Sequence, residues 1–152
     1  MIERGKLLVL SGPSGVGKST QTRNLQRWMP GEFSVISGDR PVLHIQKNGE
    51  VMVYPSPWNG KENWKGAPAS QLEGIVFLRR GAENSIRRLT KRQSAIPAYI
   101  GLIQSGKTKE EVLRASAFAE RLINACAVWE LTSFQVPDST GLLFDTVFNG
   151  GV

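Results

Sequence analysis

Residues 6–19 read KLLVLSGPSGVGKS, and this stretch decides the fold. The apolar run at 6–11 ends in a glycine-rich segment, which is typical of a buried β-strand followed by a turn. Residues 12–19 match the pattern G-x-x-x-x-G-K-[ST] in full. A helical pattern follows from Lys18 to Met29, and Pro30 and Gly31 end it. The sequence therefore predicts a strand, a glycine-rich loop and a helix in direct succession.

The glycine-rich loop has the residues that a phosphate-binding P-loop requires. Its glycines let successive backbone N–H groups point inward at phosphate oxygens. Lys18 would then reach the β- and γ-phosphates, and the Ser19 hydroxyl would bind Mg²⁺. The alternative is a glycine-rich turn with a solvated lysine. The predicted cofactors are ATP and Mg²⁺, and the predicted nucleotide-binding residues are Gly12, Pro13, Ser14, Gly15, Val16, Gly17, Lys18, Ser19, Thr20 and Arg80.

Composition narrows the class of protein and of partner. The chain has 152 residues, of which 40% are hydrophobic and 21% charged, and this predicts one globular domain over 1–152. With Cys126 as its single cysteine, the chain has no intrachain disulfide and no cysteine-rich zinc site, which favours a cytoplasmic location. No apolar run approaches the roughly 20 residues that cross a bilayer, so no membrane partner is expected. The net charge of +6 favours anionic partners.

The rest of the chain predicts an α/β fold with a mixed β-sheet flanked by helices. Asn48 and Gly49 between two apolar segments indicate an antiparallel hairpin. Thr108 and Glu111 have the spacing of a helical capping box. Residues 55–70 contain two tryptophans and are expected to be an ordered functional loop or a lid. The further predicted elements are strands at 33–37, 74–78 and 127–134, a helix interrupted or kinked at Pro97, a helix from 108 to about 126, and a terminal helix at 139–148.

A second acidic residue is expected to help hold Mg²⁺, because P-loop enzymes usually place a carboxylate at the end of a neighbouring strand. Asp39 follows the predicted strand 33–37 and is the first candidate, although an aspartate at this place can also cap a turn. Asp138 precedes a predicted helix, where capping is the simpler role. The predicted metal ligands are Ser19 and Asp39.

Five segments carry a resemblance to one family. The chain resembles the bacterial HPr kinase/phosphorylase-like proteins, which share a fold with ATP-dependent phosphoenolpyruvate carboxykinase. The resemblance extends from about residue 6 to residue 134, and segments 38–41 and 57–61 are its most specific parts. It departs from the family at Gly38 and Asp39, where several relatives have two adjacent acids, and in beginning almost at the P-loop strand. The five segments are 11–23 (SGPSGVGKSTQTR), 37–41 (SGDRP), 55–63 (PSPWNGKEN), 72–80 (LEGIVFLRR) and 83–89 (ENSIRRL).

This resemblance implies an ATP-dependent phosphotransferase that acts on a hydroxyl group of a protein, a peptide or a small molecule. It implies that Asp39 is a general base or a metal partner, and that Arg40 faces phosphate or substrate. It also implies that Lys61, and Arg79 or Arg80, neutralise charge on the transferring phosphoryl group. Without the resemblance, the loop that contains Lys61 is equally well explained as a surface loop held by its tryptophans. The implied catalytic residues are Lys18, Asp39, Arg40 and Lys61.

Three other functions stay open at the level of sequence. The segment LSGPSGVGKS is also how guanylate kinases begin, so a nucleoside monophosphate kinase is one alternative. A non-catalytic nucleotide sensor is another. A nucleic-acid adaptor would suit the net charge, but no aromatic platform or known motif supports it, so nucleic acid is not an expected partner. The acceptor, the preference for ATP or GTP and the oligomeric state are left open.

Overall fold

The computed structural model describes residues 2–3, 6–30, 35–38, 40–57, 70–102 and 108–149. Three features predicted from the sequence lie outside these residues: Asp39, Lys61 and the tryptophan-containing part of the 55–70 loop. The strands are β1 (Ile2–Glu3), β2 (Lys6–Ser11), β3 (Val42–Ile45), β4 (Val51–Tyr54), β5 (Ser70–Arg80), β6 (Ser85–Arg88) and β7 (Ala127–Ser133). The helices are α1 (Lys18–Trp28), α2 (Lys91–Leu102), α3 (Lys109–Ala125) and α4 (Val136–Leu143), and a π-helical turn spans Phe144–Phe148.

The strands form one mixed sheet whose centre is parallel. Strand β5 lies between β2 and β7 and runs parallel to both. Strands β1 and β6 add antiparallel pairs to β2 and β7, respectively. The β3–β4 hairpin joins the start of β5 through the pairs Met52–Gln71 and Val53–Ser70. The predicted α/β fold with a mixed sheet flanked by helices is therefore confirmed.

Alternating residues of the parallel strands face two separate hydrophobic clusters, as the period of two along a strand requires. Val9 and Ile75 belong to the cluster that also contains Leu122 of α3. Their strand neighbours Leu10 and Val76 belong to the other cluster, which includes residues of α1 and α4. The sheet is thus covered on both faces. The glycine-rich loop leads into α1, and therefore onto the second of these faces.

Helix α3 begins at capping residues that the sequence provides. Before α3, Glu111 N donates to Thr108 Oγ1 at 3.2 Å and Thr108 N donates to Glu111 Oε2 at 2.9 Å, which confirms the predicted capping box. Helix α2 runs through Pro97 as a single element to Leu102, so the proline does not interrupt it. Within the described residues, no helix is both long and apolar enough to cross a membrane.

Two predictions from the sequence are wrong about strands. Residues 35–37, which belong to the predicted strand 33–37, are not in a strand. Val35 and Ile36 are nevertheless buried, so their apolar character reflects packing in the core instead of sheet pairing. The second error concerns the predicted strand 74–78, after which the sequence predicts helices and no strand before residue 127. Instead, β5 continues to Arg80, and a further strand, β6, follows at Ser85–Arg88.

Candidate functional site

The glycine-rich loop, residues 12–17, connects the end of β2 to the start of α1. Its glycines have φ angles of 152° at Gly12, 76° at Gly15 and 108° at Gly17. These values lie in the region that residues with a Cβ atom rarely adopt. The loop therefore needs glycine at all three positions to keep this backbone path.

Gly12 is also required for packing. A Cβ atom at this position would lie 2.8 Å from the carbonyl oxygen of Leu78 and 3.0 Å from Cγ1 of Val16. The first of these neighbours is backbone of β5, which cannot move away as a flexible side chain could. The start of the loop is thus pressed against the central strand, and this contact fixes its distance from the end of β5.

The N-terminus of α1 is open to an anion. Its cap residue, Gly17, has no side chain to accept from the first N–H groups of the helix, and the first turn contains no acidic residue. The N–H groups of Lys18, Ser19 and Thr20 have no acceptor inside the helix because of their position in it. Together with the helix dipole, these donors make a site of positive potential where the loop ends.

Lys18 adds a full positive charge at the same place. Its Nζ donates to the carbonyl oxygens of Gly12 at 2.8 Å and of Pro13 at 3.0 Å, so the ammonium group lies over the loop. Ser19 is half-buried and follows directly in the first turn, whereas Thr20 is exposed. The glycine backbone, the ammonium group and the Ser19 hydroxyl together fit the phosphates of a nucleotide and their Mg²⁺ ion.

Arg79 and Arg80 are adjacent in sequence but lie on opposite faces of the sheet. Arg80 Nη2 donates to the carbonyl oxygen of Gly15 at 2.7 Å, which brings its guanidinium group to the glycine-rich loop. Arg79 Nη1 instead lies 3.7 Å from Oε1 of Glu130, and Arg87 Nη2 lies 2.9 Å from the same oxygen. The resemblance implies that one of the two arginines neutralises phosphoryl charge, with Arg80 as the predicted nucleotide-binding residue, and Arg80 is the one beside the loop.

A buried hydrogen-bond network holds α1 against α4 and β7. Gln21 Nε2 donates to Ser139 Oγ at 2.7 Å, and Thr140 Oγ1 donates to Gln21 Oε1 at 2.6 Å. Ser139 Oγ also lies 2.9 Å from Ser133 Oγ at the end of β7. Gln21 is only 1% exposed, so its amide is satisfied by protein groups. Since Gln21 is three residues after Lys18, the network fixes the helix turn that carries the lysine.

The motifs of the sequence do not predict this network. The signal in the sequence that points to it is spacing: Gln21 and Leu25 are four residues apart and therefore share one face of α1. Leu25 belongs to the apolar pattern of the predicted helix and is fully buried at 0% exposure. A glutamine on the same face as a core leucine indicates a buried amide that must have polar partners.

The remaining predicted site residues are only partly described. Asp39 and Lys61 lie outside the described residues, so their predicted roles stay predictions. Arg40 is exposed, and its φ of 45° places it in the left-handed region. Such a conformation is uncommon for a residue with a side chain and often occurs at functional sites. In the described part of the chain, no three His, Cys, Asp or Glu side chains gather as a metal site.

A cleft of about 340 Å³ lies at the opposite end of the parallel strands, beside the amino ends of β5 and β7. Its lining includes Glu73, Arg88, Lys91 and Cys126. Burial raises the pKa of the Cys126 thiol to about 12, against a smaller opposing effect of the Arg88 charge. The thiol is therefore protonated at neutral pH and is a poor nucleophile. This cleft is separated from the glycine-rich loop by the length of the parallel strands.

Comparison with known proteins finds a sequence similarity over about a third of the chain. The match is to a guanylate kinase. That protein, from Ruegeria pomeroyi, is 43% identical over 54 residues, which are 35% of this chain and 25% of the guanylate kinase. The chain thus spans about a quarter of the length of the curated relative that it matches. No family model matches the chain, and no solved structure matches it. The similarity supports a nucleotide-binding, kinase-like protein.

Proposed function

We propose that this protein is a Mg²⁺-dependent phosphotransferase that binds a nucleoside triphosphate at the 12–19 loop. The observation that carries the proposal is the position of the Lys18 ammonium group, 2.8 Å from the Gly12 carbonyl oxygen, at the uncapped N-terminus of α1. A lysine charge, helix N–H groups and a glycine backbone then converge on one place. Phosphoryl transfer depends mainly on such positioning and charge neutralisation.

Each residue of the site has a distinct part in this proposal. Lys18 exchanges its carbonyl partners for oxygens of the β- and γ-phosphates. The N–H groups at the start of α1 donate to the same phosphates, and Arg80 adds a second cation from the end of β5. Ser19 would hold Mg²⁺, which when bound neutralises charge on the phosphates. The work of this chain's own residues is to bind the triphosphate in one orientation.

Asp39 is the proposed general base or metal partner, on the basis of its place in the segment SGDRP and the resemblance to HPr kinase-like proteins. Substitution Asp39→Asn keeps the size of the side chain and removes its charge. The proposal expects phosphoryl transfer to fall by at least about 100-fold, which is the usual contribution of a general base, while ATP affinity stays nearly unchanged. Equal activity of the variant and the parent would remove Asp39 from the mechanism.

Two acceptors compete, and a different observation supports each of them. The 43% identity to a guanylate kinase over 54 residues favours the phosphate of GMP as acceptor. The resemblance to HPr kinase-like proteins favours a hydroxyl group of a serine or a small molecule. Both use the same triphosphate site, and they differ in what must bind beside it. Of the two, GMP has the support of a measured similarity.

Calorimetric titration with ATP and GTP, with and without Mg²⁺, tests the triphosphate site. We expect binding that requires Lys18 and is lost in Lys18→Ala. Titration with GMP and a transfer assay with [γ-³²P]ATP then separate the acceptors: label in GDP identifies GMP, and label in a serine peptide or a small alcohol identifies a hydroxyl acceptor. Nucleotide binding without transfer or hydrolysis would instead identify a sensor, and absence of binding would refute the proposal.

A further inference from the structure

Phe134 has an aromatic side chain that belongs to neither of the two hydrophobic clusters. It follows the last residue of β7 and is 61% exposed. A large apolar side chain left in water forgoes the stabilisation that burial would provide. Its place in the fold indicates what can cover it.

Phe134 lies at the carboxyl end of β7, which is the same end of the parallel strands as the glycine-rich loop. Ser133, the residue before Phe134, pairs with Arg80 in the parallel β5–β7 ladder. The guanidinium group of Arg80 in turn donates to the Gly15 carbonyl oxygen at 2.7 Å. Strand β7 is two strands away from β2, which is about 10 Å at the usual strand spacing. That separation is comparable to the distance between the triphosphate and the base of an extended nucleotide.

The backbone that carries the ring is held in place. Asn84 Oδ1 accepts hydrogen bonds from Phe134 N at 2.7 Å and from Gln135 N at 3.0 Å. Gln135 is the N-cap residue of α4, so the same asparagine fixes the turn between β7 and that helix. The ring therefore projects from a rigid turn, which lowers the entropy cost of stacking against a ligand.

We propose that Phe134 is the stacking surface for the base of the nucleotide whose phosphates bind at the 12–19 loop. The inference rests on the proposed function, and it adds the place of the base. Aromatic side chains stack on the flat face of any nucleobase. The stack accepts adenine and guanine alike, and discrimination between ATP and GTP has to come from polar groups elsewhere.

Titration of ATP, GTP and inorganic tripolyphosphate onto a set of variants tests this placement. For Phe134→Ala we expect ATP and GTP to bind about tenfold more weakly, within the range that base stacking provides, and tripolyphosphate to bind as it does to the parent. Phe134→Trp keeps an aromatic face and should bind both nucleotides like the parent. The matched control is Ile100→Ala, which removes a side chain 75% exposed on α2 and should leave all three affinities unchanged.

The outcomes separate this inference from the proposal on which it rests. Unchanged ATP affinity in Phe134→Ala would overturn the stacking role, and so would an equal loss of ATP and tripolyphosphate. In both cases, the proposed triphosphate site would still be supported if Lys18→Ala bound none of the three ligands. If the parent binds neither ATP nor tripolyphosphate, both ideas fail together. Because Phe134 is exposed, equal thermal unfolding midpoints of Phe134→Ala and parent are expected.

Discussion

Arg80 donates a hydrogen bond from Nη2 to the carbonyl oxygen of Gly15 at 2.7 Å, and so links the end of the central strand to the glycine-rich loop. The bond gives the loop a second fixed point, in addition to the contact of Gly12 with β5. It also keeps a cation beside the phosphate site before any ligand binds. Its removal is therefore expected to affect ligand affinity more than folding.

We predict that Arg80→Ala weakens ATP binding by about fivefold to tenfold, because the variant lacks one charged donor worth about 1 kcal/mol at an exposed position. The control is Arg79→Ala, which deletes the neighbouring arginine on the opposite face of the sheet, where Glu130 is its partner. This control should bind ATP like the parent. Calorimetry on the two variants measures the difference, and equal losses would mean that only net charge matters.

Gly12→Ala is predicted to destabilise the protein by about 2 kcal/mol, because the new Cβ would collide with the backbone of β5 in a strained conformation. The midpoint of thermal unfolding should fall by roughly 4–8 °C. Gly49→Ala is the matched control: φ is 89° there, but among the described residues no atom beyond its chain neighbours lies within 4 Å of where the new methyl group would be. Gly49→Ala should lower the free energy of unfolding by about 1 kcal/mol, because of backbone strain alone. Similar losses in both would contradict the packing role of Gly12.

The amide of Gln21 is predicted to be coupled to Thr140. Gln21→Leu removes the 2.6 Å acceptor of the Thr140 hydroxyl, which keeps the Val136 carbonyl oxygen at 2.8 Å, and also removes the donor to Ser139 Oγ. It should lower the free energy of unfolding by about 1–2 kcal/mol. Thr140→Val should lower it by a smaller amount. Urea denaturation of both variants and the double variant completes the cycle. A coupling energy of about 1 kcal/mol or more is expected for residues in one buried network. Additive effects would show that the two side chains act independently.

Cys126 is predicted to resist alkylation in the folded protein. At pH 8, a thiol whose pKa is about 12 is ionised roughly a thousandfold less than one with the ordinary value of 9.0. Labelling with iodoacetamide should therefore be slow in buffer and fast in denaturant. The same shift predicts that the contribution of this thiol to the free energy of unfolding is constant below about pH 9 and falls as the pH rises towards 12, since the unfolded thiol ionises first. Rapid labelling of the native protein would contradict this burial.

The sequence predicts those parts of the fold that local chemistry controls. The Thr108–Glu111 capping box, the Asn48–Gly49 hairpin and the strand-loop-helix unit around Lys18 each depend on residues close together in the chain. The sequence does not reveal how distant parts meet. The opposite directions of Arg79 and Arg80 follow from the pairing of β5, and the partners of Gln21 come from α4.

Strand β6 is another feature that the sequence does not predict. Residues 85–88 contain two arginines and only one apolar residue, so no hydrophobic alternation marks them as a strand. They are held by pairing with β7, by the ion pair of Arg87 with Glu130, and by the Arg88 guanidinium group 4.7 Å from the centre of the Trp129 ring. Tertiary partners decide this strand, and a single sequence does not identify them.

The parallel centre of the sheet also has a consequence for how the chain folds. Val76 of β5 pairs with Leu10 of β2 on one side and with Trp129 of β7 on the other, so the middle of the sheet joins segments from near both ends of the chain. Folds dominated by such contacts have a high contact order and reach the native state slowly. During synthesis, β2 and β5 must remain without the partner that completes the sheet until β7 has left the ribosome.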